Sequence, residues 1–477
     1  MKKIRNIICL VLLNTFIFST GFTKNIVEYI GEGENQITVI YLKGKPYEMG
    51  LTHGRQLKEP IHALYDSLMK SVANYTSPNL LDLAYMRLEP FISQDYKDEM
   101  QGLADGAEID IKMVHRLHAI PDLSETDCSF FAAWDSATID GNLYQIRALD
   151  YATEIHLQEH PAIVVYEPEN GQRFINVGWV GFIGVVSGIN YAGISISEIG
   201  DDFDKANQTM MAEPMPFVLR DVLQNSAHLD EAIQIISNAK RTSSFLYCVG
   251  DAKIPEARSF MTGPTICHVY SDDTSPNPFI NDVVYFSMGT DSPWNQKMFN
   301  FLNPLYGKID GETGKNLMRT LKTGDLHAVA YDYAHRQIWV ANAGIDRTDA
   351  FKRTFVKYDM NRADSIFAKY PLMGVNVNDH QTPSNLKLYQ NHPNPFNSTT
   401  RIEFEIAKNQ NDTMELSIFD ITGKKVQTLK EGFVKPGYHH QDWNGLDQSG
   451  KAVATGSYFC QLKSGGEIQM RRMILIR

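Results

Sequence analysis

The chain has 477 residues, enough for two or three domains. Its 43% hydrophobic and 21% charged residues are those of a globular protein and exclude an intrinsically disordered one. A formal net charge of -11 argues against a nucleic-acid partner, which calls for a basic stripe.

The chain opens with the basic run Met1-Lys2-Lys3-Ile4-Arg5, an apolar stretch over residues 7–18, and the small residues Ser19, Thr20 and Gly21. This reads as a signal peptide over residues 1–23, and it implies export. No other stretch approaches the roughly twenty apolar residues of a membrane helix, so no stable membrane span is expected. Cys9 belongs to the leader. Cys128, Cys248, Cys267 and Cys460 show no metal-ligand spacing, and neither a metal nor a cofactor is expected. Cys248 and Cys267 lie in runs that look like buried strands and read as small core residues rather than a disulfide.

Residues 24–370 read as one catalytic domain. Residues 37–42 are β-branched and strand-like, and Gly44-Lys45-Pro46-Tyr47 turns the chain. Gly50 and Gly54 share a helix face and let another backbone approach closely; His53 between them reads as a helix-packing residue. From Pro60 to about Arg116 the pattern is helical, with Ile61, Leu64, Tyr65, Leu68 and Met69 on one face. Ile120-Pro121 ends that section shortly before Cys128. Residues 129–133 read as a strand, Asp140-Gly141 as a hairpin turn, and residues 143–147 as the returning strand. A hairpin of this length carries Arg147 and Asp150 back toward Cys128.

The run Cys128-x-x-Phe131-x-Ala133-Trp134-x-x-Ala137-Thr138-x-Asp140-Gly141-x-Leu143, followed by Arg147-x-Leu149-Asp150-Tyr151, resembles the acyl-coenzyme A:6-aminopenicillanic acid acyltransferase family. These are autoproteolytic N-terminal-nucleophile (Ntn) hydrolases and acyltransferases, related more distantly to choloylglycine hydrolases and penicillin V acylases. Upstream, Gly44-x-Pro46-Tyr47-Glu48-x-Gly50-x-x-His53-Gly54 fits the same pattern. Downstream, Gly178-Trp179-Val180-Gly181 and the run from Gly188 to Ile196 fit it too. The resemblance covers about residues 35–350. It implies an α+β chain with a four-layer αββα Ntn-hydrolase fold.

The resemblance also implies self-cleavage between Asp127 and Cys128. The freed α-amino group, with an unperturbed pKa of about 7.7–8.0, then serves as base for the Cys128 thiol. The thiolate attacks an amide carbonyl and forms a thioester. By the same resemblance Arg147 and Asp150 orient the terminus and polarise the substrate. The chain departs from the pattern twice. Asp127 stands where a small residue is familiar, and Ser197-Glu198-Ile199-Gly200-Asp201-Asp202 lacks the oxyanion-stabilising Asn of relatives. Backbone N–H groups or Ser197 are the substitutes, and Glu198 is either a substrate contact or a salt-bridge partner.

Helices are expected from Met215 and from His228, beside strands at 245–249 and 283–289. An α-layer packed on a sheet follows. The loop Thr290-Asp291-Ser292 is a candidate pocket rim. Residues 327–332 and 337–342 form a closing hairpin in which His327 reads as a strand residue before a thiol partner. His156-Leu157-Gln158-Glu159-His160 matches an inverted zinc-protease motif, but Pro161 pushes His160 out of helix, and zinc binding is not expected.

A polar linker at 371–387 precedes a module at 388–477. Six short alternating strands, at 401–406, 414–419, 425–429, 438–443, 457–463 and 470–476, imply a small all-β immunoglobulin-like sandwich with Trp443 and Tyr458 in its core. Asn391-x-Pro393-Asn394-Pro395-Phe396-Asn397 and Gly456-x-Tyr458-Phe459 resemble the C-terminal sorting domain of the type IX secretion system. That implies the secretion machinery as a partner and a secreted or surface-attached protein. A carbohydrate-binding sandwich is the other reading of the module.

The sequence thus points to a secreted N-terminal-cysteine amidohydrolase or acyltransferase acting on a small non-peptide amide. Two other readings stay open: a papain-like thiol protease without self-cleavage, and a catalytically inactive Ntn scaffold that binds at a surface.

Overall fold

Both faces of the strand that begins at Cys128 are buried, and this decides what packs around it. In the computed structural model it is β3, Cys128–Asp135, of a first unit reaching to Gly374; a second unit starts at Val375. The structure describes residues 26–74, 77–123, 128–369, 386–389, 391, 393–406, 413–420, 424–434, 437–464 and 467–476. The signal peptide, Asp127 and most of the linker lie outside the described residues.

The first unit carries β1 (Val27–Ile30), β2 (Ile37–Gly44), β3, β4 (Gly141–Leu149), β5 (Pro161–Pro168), β6 (Phe174–Trp179), β7 (Gly188–Asn190), β8 (Ile194–Asp201), β9 (Ser244–Asp251), β10 (Glu256–Thr262), β11 (Cys267–Tyr270), β12 (Val283–Ser287), β13 (His327–Asp332), β14 (Gln337–Asn342) and β15 (Val356–Asp359). Its helices are α1 (Pro46–Gln56), α2 (Lys58–Val72), α3 (Pro78–Leu88), α4 (Gln94–Ala107), α5 (Ile111–Ala119), α6 (Met215–Asn225), α7 (Leu229–Asn238), α8 (Pro293–Leu302), α9 (Gly311–Leu321) and α10 (Arg362–Lys369). One sheet has nine strands in the order β1-β2-β5-β6-β7-β8-β9-β10-β11, and the other six, β12-β3-β4-β13-β14-β15.

Alternation assigns the faces. Phe131 and Ala133 pack with Met298 and Leu302 of α8 and Leu317, Met318 and Leu321 of α9. Cys128, Phe130 and Ala132 turn the other way, into a cluster with Leu64 and Leu68 of α2 and Ile196 of β8. Val39, Tyr41 and Val165 of the nine-stranded sheet meet Val329, Tyr331 and Val340 of the six-stranded one.

The glycine reading of α1 holds. A Cβ on Gly50 would lie 2.0 Å from the Glu99 carbonyl oxygen, and one on Gly54 2.3 Å from that of Leu103. Gly102 and Gly106 of α4 return the contact against Tyr47 and Leu51. Two four-residue glycine spacings thus cross backbone to backbone.

Cys267 is a correction. It lies half-exposed on β11, the last strand of its sheet, which pairs with β10 alone. Cys248, on interior strand β9, is fully buried as expected. No disulfide forms among the described cysteines.

The second unit has β16 (Leu386–Leu388), β17 (Thr400–Ile406), β18 (Met414–Asp420), β19 (Lys425–Gly432), β20 (Gly437–Trp443), β21 (Gly456–Ser464) and β22 (Glu467–Leu475). They form a three-stranded sheet, β16-β17-β20, and a four-stranded one, β19-β18-β21-β22. Trp443 and Tyr458 meet edge to face in the core, their ring centres 5.2 Å apart.

Candidate active site

The β3–β4 hairpin brings the expected residues together. Cys128 pairs with Leu149 and Phe130 with Arg147, so Arg147 is the diagonal neighbour of Cys128 on the same face. Such diagonals span roughly 7–8 Å, within reach of an arginine. Cys128 is fully buried, and its carbonyl oxygen accepts from the Met288 N–H at 2.8 Å. Arg147 is buried too, and its Nη2 bonds to Glu198 Oε1 on β8. Burial works against the Arg147 charge, but Glu198 and then Cys128 hold its pKa above the ordinary value. Burial pushes the Glu198 carboxyl up against the pull of Arg147. Nε and Nη1 of Arg147 and Oε2 of Glu198 have no hydrogen-bond partner among the described residues.

Asp150 caps the end of β4. Its Oδ1 accepts from the N–H groups of Gly324 and Asp325 at 2.7 and 2.8 Å, and its Oδ2 from the Thr323 hydroxyl at 2.6 Å. Thr323 Oγ1 lies 2.8 Å from Ser129 Oγ, which lies 2.8 Å from Ser287 Oγ. Burial raises the Asp150 pKa while these donors lower it. In return Asp325 Oδ1 accepts from Tyr151 N at 2.8 Å. The two residues after β4 and the turn before β13 therefore fix each other.

A largely apolar cavity opens beside this cluster. Leu149, the cross-strand partner of Cys128, lines it with Glu198, Leu326, Trp179, Phe182 and Phe245. Leu68, Leu117, Ile120 and Pro121, all from before Cys128, complete its apolar wall. Glu198 is its one charged lining residue.

The other expected residues are placed elsewhere. The Ser197 hydroxyl donates to the Ile146 carbonyl at 3.0 Å and accepts from Gln145 Nε2 at 2.9 Å, so its one proton is used inside the sheets. Asp291 is exposed and outside the cavity lining; Thr290 beside it bonds Asp201. His327 pairs with Leu149, which puts one strand between it and Cys128. Two strand spacings are about 10 Å. Its ring instead meets Ser187 Oγ at 3.2 Å and Asn342 Oδ1 at 3.3 Å, and burial lowers its pKa to about 3. His156 and His160 flank a short 3-10 turn ahead of β5, not one face of a helix.

Sequence reasoning passes over Thr323. The signal was present as Thr323-Gly324-Asp325, a turn run directly before the closing hairpin.

Residues 137–281 match the family model of acyl-coenzyme A:6-aminopenicillanic acid acyl-transferase. The match begins beyond Cys128 and contains Arg147, Asp150, Ser197 and Glu198. It supports an amidohydrolase or acyltransferase activity. Residues 391–466 match the FlgD Ig-like domain. Among curated relatives, protein dcd1B of Dictyostelium discoideum is 27% identical over 403 residues, 75% of this chain and 79% of its own length. Protein dcd1A of the same organism is 29% identical over 385 residues, 70% of this chain and 87% of its own. A solved structure of the Caenorhabditis elegans ortholog of N-acylethanolamine-hydrolyzing acid amidase is 20% identical, with a TM-score of 0.35. It covers 43% of this chain and 92% of its own.

Proposed function

We propose that this chain is an exported Ntn-type amidohydrolase that uses Cys128 as nucleophile and takes an apolar acyl group into the cavity beside it. The observation that carries this reading is the placement of Cys128 at the start of β3, next to buried Arg147, with its cross-strand partner Leu149 and the Arg147 partner Glu198 both lining an apolar cavity. The packing contacts support a helix–sheet–sheet–helix stack, the four-layer arrangement of this enzyme class.

Chemistry follows from these residues. The Cys128 thiol adds to the Asp127 carbonyl, the peptide nitrogen leaves as the new α-amine, and water releases Asp127 from sulfur. In turnover the α-amine takes the thiol proton and sulfur attacks the substrate amide. The amine product leaves with a proton, and water cleaves the thioester to the acid. An amine in place of water gives acyl transfer; outside the cell, where acyl-coenzyme A is scarce, hydrolysis is the favoured outcome. The Arg147 guanidinium, two of whose nitrogens have no hydrogen-bond partner among the described residues, supplies positive charge beside the reacting sulfur. Asp150 holds the β4 end that faces the new terminus.

We propose that the C-terminal module serves sorting through a type IX secretion route, a reading that rests on its sequence motifs, while the Ig-like match supports its sandwich fold alone. The test is intact-mass analysis of purified protein with a screen of N-acyl amides. A fragment starting at Cys128 and activity that disappears in Cys128→Ala support the reading. Activity unchanged in that variant overturns it.

A further inference from the structure

A buried loop is normally avoided because its backbone polar groups have nowhere to bond. The loop at 180–187, between β6 and β7, is buried throughout and carries Phe182 and Val186 into the cavity wall. Its backbone is satisfied almost entirely from outside itself. The Gly181 N–H donates to His53 Nε2 at 3.0 Å, and the Gly181 carbonyl accepts from Tyr65 Oη at 2.8 Å. The Ile183 N–H donates to His118 Nε2 at 2.9 Å, and the Ile183 carbonyl accepts from Arg220 Nη1 at 2.8 Å. Arg220 is itself held by Glu99 through two hydrogen bonds, of 2.6 and 3.1 Å.

His53, Tyr65, Glu99 and His118 all precede Cys128 in the chain. Both histidines are fully buried and accept at Nε2, and His118 Nδ1 is engaged with the Val114 carbonyl at 2.7 Å. The loop has no freedom to drift: Gly181, at φ +74°, would set a Cβ 3.0 Å from Tyr65 Oη, and Gly184 one 2.6 Å from Pro216 Cβ.

We infer that His53 and His118 are positioning residues for acyl-group selection. They clamp the 180–187 loop so that Phe182 and Val186 form a fixed wall of the cavity. This rests on the proposed acyl cavity and adds to it the groups that set its shape.

The test compares His118→Leu, His118→Gln and His53→Leu in the full chain. Gln offers an acceptor oxygen near the Nε2 position, and Leu offers none. Hydrolysis of a matched pair of amides, one with a short and one with a long acyl chain, is measured alongside binding of the fluorescent fatty acid cis-parinaric acid to Cys128→Ala protein carrying the same changes. The Leu variants are expected to raise KM for the long-chain amide roughly tenfold, the effect of losing one buried hydrogen bond. The short-chain kcat should stay within about twofold, and His118→Gln should restore the long-chain KM. Parinaric acid affinity should fall in parallel, and this readout stands even if no amide is turned over. Equal losses for both chain lengths, or Leu variants that bind and select as the parent does, overturn the inference. If the Leu variants do not fold, His118→Asn decides, because its amide is too short to reach the Ile183 N–H: a raised long-chain KM is expected, and an unchanged long-chain preference overturns the inference.

Discussion

Arg147 and Glu198 form a buried ion pair that joins β4 of the six-stranded sheet to β8 of the nine-stranded one. Taking both charges out of water is costly, and removing one partner leaves the other without compensation. Arg147→Ala should therefore destabilise the fold by about 3–5 kcal/mol. Glu198→Gln keeps a hydrogen-bond acceptor and should cost less. Urea unfolding of the two variants measures the difference. Equal midpoints, both near the parent, would show that the pair is open to water.

Asp150 and Thr323 give a second, separable expectation. Thr323→Val keeps the side-chain volume but removes the donor to Asp150 Oδ2 and the link to Ser129 Oγ. It should cost about 1–3 kcal/mol, the range for a buried acceptor left short of a partner. Under the proposed mechanism kcat should fall while KM changes little, because Asp150 faces the nucleophile's terminus and not the cavity wall. Thr323→Ser should recover most of both. If Ser behaves as Val does, the methyl packing and not the hydroxyl matters.

Much of this arrangement was legible in the sequence because it depends on local pattern. Alternation and the Asp140-Gly141 turn suffice to pair β3 with β4 and bring Arg147 alongside Cys128. The C-terminal strands declare themselves by short alternating runs, and the two glycine spacings by their separation of four. What stayed hidden depends on contacts distant in sequence. Ser197 looks available as a donor until Gln145 and the Ile146 carbonyl are found against it, 52 and 51 positions away. Glu198 has two readings in sequence, and in the fold it both pairs with Arg147 and lines the cavity. Cys267 has the β-branched neighbours of a core strand, but only the sheet order reveals that it lies on an edge.

The α1–α4 crossing should be among the least tolerant places in the protein. An alanine at Gly50 places its methyl 2.0 Å from a main-chain oxygen, and at Gly102 2.1 Å, so neither can be relieved by moving a side chain. Gly50→Ala and Gly102→Ala should each separate the helices and cost more than 3 kcal/mol, roughly the upper range of overpacking. Gly311→Ala is the control, since nothing lies within 4 Å of its Cβ and its backbone is helical. It should be neutral or slightly stabilising, because alanine is the better helix former. Expression and thermal melting of the three variants test the contrast.

Below neutral pH, buried groups should act on stability in opposite senses, with the two histidines outweighing the one carboxyl. On the acid side, His53 and His118 are neutral acceptors whose pKa burial lowers to about 3, while an unfolded histidine titrates near 6.5. Their folded values lie below the unfolded one, so the stability they contribute is present above about pH 6.5 and is lost as pH falls toward 3. In the opposite sense and over an overlapping range, burial pushes Asp122 up to about 6, against about 3.9 unfolded. Its contribution is full below about pH 4 and is lost as pH rises through 6. Asp122 Oδ1 accepts from Met215 N at 3.0 Å and from the Thr242 hydroxyl at 2.6 Å, and an amide oxygen can keep both bonds. Asp122→Asn should therefore remove the opposing contribution and steepen the fall in melting temperature from about pH 6 to 4. His118→Gln should flatten the same limb, between about pH 6.5 and 3.5. Melting curves across pH that run parallel for parent and both variants would remove these two groups as the source of the dependence.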